Sequence, residues 1–354
     1  MITRTVGNVG ADYATLQPAV DSIPDNPTDD YTIRIITATD VGGGIQVFLN
    51  IPNANNRSFL ITVAEPVRFY HGASWPTDMI AASKEGGRLE ATGHACLRLN
   101  LAPVSPWRVE WLALFMGAGA MGVTFYDETG TVIFRNCLFA ATPALRTAGM
   151  TDGIYDFEAG QVFGCVFIGF NGFGLYGGGI GASDAFVGNT VIVTHQCYPI
   201  ATSGDAYANI VMRTAPGTAG VRKDIDAVVG NYNIVSDNNA PGANSLKSQL
   251  LANVLVSATD AHLKTKGFLV TPDYQGTYPS MALDIDGEAR SVVDPDAGAD
   301  YIVVVTTPPP TTLPPTTPPP TTLPPGGPSS RHVSPDLVSP RLVPSNLVRG
   351  RLVD

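Results

Sequence analysis

Arg135-Asn136-Cys137-Leu138-Phe139, Phe163-Gly164-Cys165-Val166-Phe167 and Gly188-Asn189-Thr190-Val191-Ile192 are instances of one short pattern whose recurrence decides the fold. It stands again at Val109-Glu110-Trp111-Leu112, Ala208-Asn209-Ile210-Val211-Met212 and Gly230-Asn231-Tyr232-Asn233-Ile234. Aligned on its second residue (110, 136, 164, 189, 209, 231), it returns at intervals of 26, 28, 25, 20 and 22 residues. Each unit offers one short apolar strand followed by Gly-, Asn- or Ser-containing turns. One such unit cannot bury its apolar face alone, and stacked neighbours make a continuous core, so a repeat of this length reads as a solenoid. The expected class is all-β, a parallel β-helix.

The repeated polar residues have a structural reading. Asn136, Asn189, Asn209 and Asn231 are expected at coil corners as a ladder, because Asn bonds neighbouring backbone and tolerates left-handed geometry. Cys137 and Cys165 fall at the same place in adjacent units and read as stacked, buried small side chains. With Cys96 and Cys197 they form no CxxC or Cys/His metal spacing, so neither a metal nor a cofactor is expected. Upstream, Tyr31–Ile36 and Phe59–Val63 read as strands, and Arg88–Ala91 and Cys96–Leu99 as the start of the regular coils. Leu16, Ala19, Val20 and Ile23 have helical spacing, with Thr15 as N-cap and Pro18 in the first turn. That helix is expected to cover the open end of the stack.

Gly10-Ala11-Asp12-Tyr13-Ala14-Thr15-Leu16-Gln17 followed by Ala19-Val20 resembles the N-terminal cap of right-handed parallel β-helix proteins, the pectin-lyase-like superfamily. Asp260-Ala261-His262-Leu263-Lys264, Ala282–Arg290 and Asp296-Ala297-Gly298-Ala299-Asp300-Tyr301 resemble the closing segment of its bacterial and viral members. The resemblance implies a right-handed β-helix over about residues 5–303. It carries little about activity, since the superfamily holds lyases, hydrolases, adhesins and phage proteins.

The chain changes character at Thr306. Residues 306–325 are two identical copies of Thr-Thr-Pro-Pro-Pro-Thr-Thr-Leu-Pro-Pro, and Gly326-Gly327 follow. As polyproline II, at about 3.1 Å per residue, the twenty residues span roughly 60 Å. From Ser329 onward a period of five repeats Leu-Val, weakly like pentapeptide-repeat proteins but too short for a free-standing coil. Leu337, Val338, Leu342, Val343, Leu347, Val348, Leu352 and Val353 are therefore expected to dock on a partner, with a disordered tail as the alternative. The expected organisation is a β-helix domain over 1–305, an extended linker over 306–328 and a docking tail over 329–354.

Charge and motif searches narrow the function. Residues 1–305 hold 17 Lys/Arg against 29 Asp/Glu, whereas the remainder holds four Arg and two Asp. An acidic body disfavours nucleic acid, which needs clustered cations. Neither a signal peptide nor an apolar run of about 20 residues is read, so export and membrane insertion are not expected. The carboxylate and His/Arg motifs of polygalacturonase- and pectate-lyase-like proteins are not found. The nearest catalytic candidates are Asp127-Glu128 and Asp152, Asp156 and Glu158, which read as solvated turn residues; His195 reads as a coil-edge residue, and Gly172–Gly181 as a turn rather than a phosphate loop.

The expectation is a structural virion protein, a phage capsid decoration, head fibre or tail appendage, made in the host cytoplasm and held by its tail to other virion proteins. Host-surface glycans are a second class of partner, and a homo-oligomer is compatible with the body. The alternatives are a polysaccharide depolymerase or lyase and a noncatalytic glycan-binding adhesin.

Overall fold

The computed structural model describes residues 1–300 except 45, 52–56, 70–77, 83, 85, 102–106, 118–119, 126–131, 142–151, 156–159, 171–174, 177–184, 194–198, 215–222, 266–270, 273, 275–281 and 292–294. Residues 1–305 form one compact unit. It is an all-β parallel solenoid of about six turns.

One coil shows the construction. Strand Trp107–Glu110 lies on a first face, Ala113–Met116 on a second and Met121–Phe125 on a third. The chain then returns to the first face at Val132–Arg135, whose residues pair in parallel register with Trp107–Glu110. The first face runs from Ile2–Val6 through Tyr31–Ile35 and Phe59–Val63 to Gly160–Phe163 and Ala185–Val187. The second runs from Arg88–Ala91 to Ile234–Val235, and the third begins at Val47–Ile51. Late in the stack the third and first faces merge: Ile200–Tyr207 pairs with Leu175–Tyr176 by its beginning and with Ala185–Val187 by its end. Parallel pairing between successive turns satisfies the backbone groups that a lone strand would leave open.

From Trp107 onward the link from first to second face takes two residues in six successive turns, and its first residue is left-handed in each. Trp111, Asn136, Gly164, Gly188, Ala208 and Tyr232 have φ between 50° and 65°. That geometry costs an L-residue about 1–2 kcal/mol, and the stacking repays it. Trp111 N–H donates to Arg135 O, Asn136 N–H to Phe163 O, and Gly188 N–H to Tyr207 O, each on the following turn. The alignment on residues 110, 136, 164, 189, 209 and 231 therefore mixes positions. Equivalent corners are 111, 136, 164, 188, 208 and 232.

Inside, aromatic side chains stack from turn to turn. Phe59 lies 4.9 Å from Trp107 and Phe139 4.3 Å from Phe167, centroid to centroid. The second face is buried on both sides. Leu114, Phe139, Phe167 and Val191 point into the solenoid; Phe115, Leu138, Ile168, Ile192 and Met212 point outward into a separate core. Two-sided burial explains why these strands read as unbroken apolar runs.

The outer core is completed by the C-terminal segment. After the short helix Leu251–Val254, residues Leu255, Ala261, Leu263, Ile285, Ala297 and Ala299 bury themselves on the outer side of the second face. Gly298 N–H donates to Ala208 O at 2.7 Å, Ala299 N–H to Thr190 Oγ1 at 2.9 Å, and Met79 N–H to Thr259 O at 2.8 Å. Gly298, at φ 94°, lies where a Cβ would stand 2.5 Å from Ile210 Cδ1. The segment that resembles a closing motif thus sheathes a flank of the solenoid. The last turn is covered instead by residues 240–246, where Leu246 bridges to Ile234 and Ser245 Oγ accepts the Asn233 N–H.

At the other end, Leu16–Asp21 is helical and buries Leu16, Ala19 and Val20. Thr15 is at its N-cap but makes no side-chain capping bond. Gln17 does the covering: its Oε1 accepts the Phe48 N–H at 2.6 Å and its Nε2 donates to Phe48 O at 3.1 Å. An amide side chain thereby stands in for a further strand at the exposed edge of the third face.

Candidate functional site

Of the catalytic candidates, Asp152 begins the third-face strand Asp152–Tyr155 and pairs with Met121. Asp156, Glu158, Asp127, Glu128 and His195 lie outside the described residues, as do the linker and the docking positions Leu337 to Val353. No carboxylate pair is brought together from these candidates among the described residues.

The repeated Asn residues divide. Asn189 and Asn209 lie one step beyond the left-handed corner, with Asn233 above them and Cys165 and Cys137 below. Together they make a continuous buried ladder. Cys137 N–H points at Cys165 Sγ (3.4 Å), Cys165 N–H donates to Asn189 Oδ1 (3.0 Å), Asn189 N–H to Asn209 Oδ1 (3.0 Å), and Asn209 N–H to Asn233 Oδ1 (2.9 Å). Each Asn Nδ2 also donates to an inner carbonyl, of Val162, Phe186 or Ala206. Asn136 and Asn231 are not rungs. Asn136 occupies the left-handed corner itself, with Nδ2 and Oδ1 buried and without a hydrogen-bond partner. Asn231 lies one step earlier, where its Oδ1 accepts the N–H groups of Tyr232 and Asn244. Cys96, Cys137 and Cys165 are free and buried, and burial pushes the Cys96 and Cys165 thiols upward in pKa. They are packing groups, not nucleophiles.

Charged chemistry gathers elsewhere, in the C-terminal segment. Three separate pieces of chain, 260–263, 284–290 and 296–300, bring together Asp260, His262, Asp284, Asp286, Arg290, Asp296 and Asp300. Asp284 starts a tight turn: its carbonyl accepts the Gly287 N–H, and its Oδ1 accepts the N–H groups of Asp286 (3.0 Å) and Glu288 (2.7 Å). Gly287 faces Trp111 and Arg68 of the solenoid, which themselves stack at 4.0 Å. Arg290 reaches across to the carbonyls of Asp296 (3.4 Å) and Gly298 (2.7 Å), pinning the loop that sheathes Ala208 and Ile210. Asp300 Oδ2 accepts the Leu263 N–H at 2.8 Å, tying the first piece to the third.

His262 lies at the centre. Nδ1 is 2.5 Å from Asp260 Oδ1 and Nε2 is 3.3 Å from Asp286 Oδ1. Burial alone would favour the neutral ring, but the bonds to Asp260 and Asp286 and the charges of Asp286 and Asp300 prevail, and the pKa rises to about 9. Burial, reinforced by Asp286 and opposed by Arg290, pushes Asp284 to about 7. Burial, opposed by His262 and reinforced by Asp286, pushes Asp300 to about 6. Ligand atoms of His262, Asp286 and Asp300 all lie within 4.8 Å of one another.

As a catalytic centre for a polymer this cluster is badly placed, because Asp260, Asp284, Asp296 and Asp300 are no more than 5% exposed. Only the His262–Asp286 edge is reached by solvent, at 14% and 17% of the side chains. Its bonds tie the three pieces of the sheath to one another. In the sequence these residues carry a fold resemblance and none of the spacings of a metal or catalytic motif, since His262, Asp286 and Asp300 stand 14 to 38 residues apart. The His flanked by Asp at i−2 was the available signal.

The remaining buried charges are structural. Asp224, fully buried, accepts Arg213 Nε at 2.6 Å and the N–H groups of Ser236 and Asp237. Glu110 faces Arg108 at 3.1 Å and Arg135 of the next turn at 3.7 Å. No family model matches the chain, and no curated protein matches it in sequence. Among the described residues, no helix is long and apolar enough to cross a membrane.

Proposed function

We propose that the protein is a noncatalytic structural component of a virion, displaying a β-helix body of the pectin-lyase-like kind on a Thr/Pro arm and held to other virion proteins by its Leu-Val tail. The observation that carries this reading is the join at residues 305–306 between a compact acidic body and an identically duplicated Thr/Pro decapeptide ending in apolar pentads. A solenoid suits display because parallel pairing along its axis makes it stiff, and its sheath covers the outer apolar row of the second face. The inaccessibility of the charged cluster favours this reading over a depolymerase. Opposite charge on body and tail keeps neighbouring bodies apart while the tail docks.

The test is occupancy. Particles reconstituted with the full chain and with a form ending at Pro325 are compared by quantitative gel densitometry. Full occupancy by the shortened form removes the anchoring role, and release of new reducing ends from host capsular polysaccharide by the full chain removes the noncatalytic one.

A further inference from the structure

Among the described residues the charged clasp of the C-terminal segment brings together more carboxyl groups than cations. Five carboxyl groups, of Asp260, Asp284, Asp286, Asp296 and Asp300, meet one guanidinium and one imidazole, nearly all of them buried. Buried carboxylates persist when they are paired or bind a cation. Two geometric features point to the cation. His262 is oriented by Asp260 through Nδ1, leaving Nε2 to face Asp286, and a carboxylate behind a ligating imidazole is the common outer shell of metal sites. Independently, Asp284 is fully buried, keeps Oδ1 on two backbone N–H groups, and has an Oδ2 with no hydrogen-bond partner.

We propose that His262 Nε2, Asp286 and Asp300 bind a divalent transition-metal ion of the zinc class, with Asp260 fixing the imidazole. Tetrahedral zinc with bonds of about 2.1 Å places neighbouring ligand atoms about 3.4 Å apart. The Nε2–Oδ1 separation of 3.3 Å already has that length, and the whole ligand set lies within 4.8 Å. One nitrogen with carboxylate oxygens suits zinc or manganese better than calcium, which takes six to eight oxygens. The ion would join three pieces of the sheath, so its role is structural.

The full chain is stripped with a chelator and titrated calorimetrically with ZnCl₂, and in separate arms with MnCl₂ and CaCl₂. One equivalent of zinc is expected to bind, with calcium much weaker. His262→Gln and Asp286→Asn abolish binding, and Asp260→Asn, which leaves the direct ligands in place, weakens it on the order of 10–100-fold. Circular dichroism of each metal-free variant confirms that the solenoid is folded, and melting of the metal-free and zinc-loaded wild type gives a second readout. Cobalt substitution should give d–d bands without thiolate charge transfer. Absence of stoichiometric zinc binding, unchanged affinity in folded His262→Gln, or thiolate-to-cobalt bands would each overturn the proposal, the last by placing the ion at the cysteines. Because occupancy on particles is measured separately, loss of this site leaves the proposed display role standing.

Discussion

Replacing Asn209 by Ala tests whether the buried ladder, and not the apolar core alone, holds the turns in register. Asn209 Oδ1 accepts from the Asn189 N–H and Nδ2, each at 3.0 Å; its Nδ2 donates to Phe186 O at 2.8 Å and to Asn233 Oδ1 at 3.2 Å. The truncation strands the fully buried Asn189 N–H and takes one bond each from Asn189 Nδ2, Phe186 O and Asn233 Oδ1. An orphaned buried donor costs about 1–3 kcal/mol and an ordinary lost bond about 1, so the sum is roughly 5 kcal/mol. Cys137→Ala is the internal comparison. Its single S–H is shared between two longer contacts, Val109 O at 3.3 Å and Arg135 O at 3.4 Å, so about 1 kcal/mol is expected there from hydrogen bonding. Denaturant unfolding gives the stabilities, and hydrogen exchange of the Asn189 amide localises the effect, since a solenoid transmits loss mainly to adjacent turns. Equal costs for the two variants, or unaltered protection of the Asn189 amide, would refute the ladder's role.

At the corner, a Cβ on Gly164 (φ 58°) would stand 2.6 Å from Asn136 Oδ1, so Gly164→Ala should destabilise by about 2 kcal/mol. Asn136→Gly removes that obstacle and two unpartnered polar atoms at φ 50°, so it is expected to be neutral or stabilising alone and, in the double variant, to rescue the part of the loss that comes from the clash, leaving the left-handed cost; thermal melts of the four proteins check this. In chelator, His262 keeps its proton to about pH 9 when folded and to about 6.5 when unfolded. Its stabilisation is complete below about pH 6.5 and is lost as pH rises through about 9, and His262→Gln should flatten that part of the melting profile. Asp284 and Asp300, with raised folded values of about 7 and about 6, make stability fall with rising pH at the acidic end, a slope the variant retains. Cys96, Cys137 and Cys165 should resist an aromatic disulfide reagent until denaturant is added, because each is buried by more than 98%.

The solenoid was legible because its repeating unit carries the information locally. Short apolar strands and corner residues announce themselves within 30 residues, and parallel stacking follows from their recurrence. The position of the rungs was not, because Asn can serve at the left-handed corner, as Asn136 does, or one step beyond it, as Asn189 and Asn209 do. Sequence spacing does not separate these, since turns of 20 to 28 residues leave the register free to slip by one. Cys at positions 137 and 165 hides the ladder further, since a thiol there makes the same contacts less well.

The charged clasp was hidden for a different reason. Its members are distant in sequence and meet only because the described parts of 255–300 pack on the outer side of the second face through apolar contacts. Phe115, Leu138, Ile168, Ile192 and Met212 leave an apolar outer row that Leu255, Leu263, Ile285 and Ala299 fill. The apolar contacts alone would let the sheath slide along a uniform stripe of stacked turns. Directional contacts fix its register: Gly298 and Ala299 to Ala208 and Thr190 on the solenoid, and Arg290 to the carbonyls that shape that loop. An Arg290→Met change keeps most of the bulk and removes the two carbonyl bonds, so the sheath should be cut by protease at 296–300 while the solenoid's far-ultraviolet dichroism stays unchanged. If the loop stays resistant, apolar contact is sufficient to set the register and the clasp has no structural duty beyond its own residues.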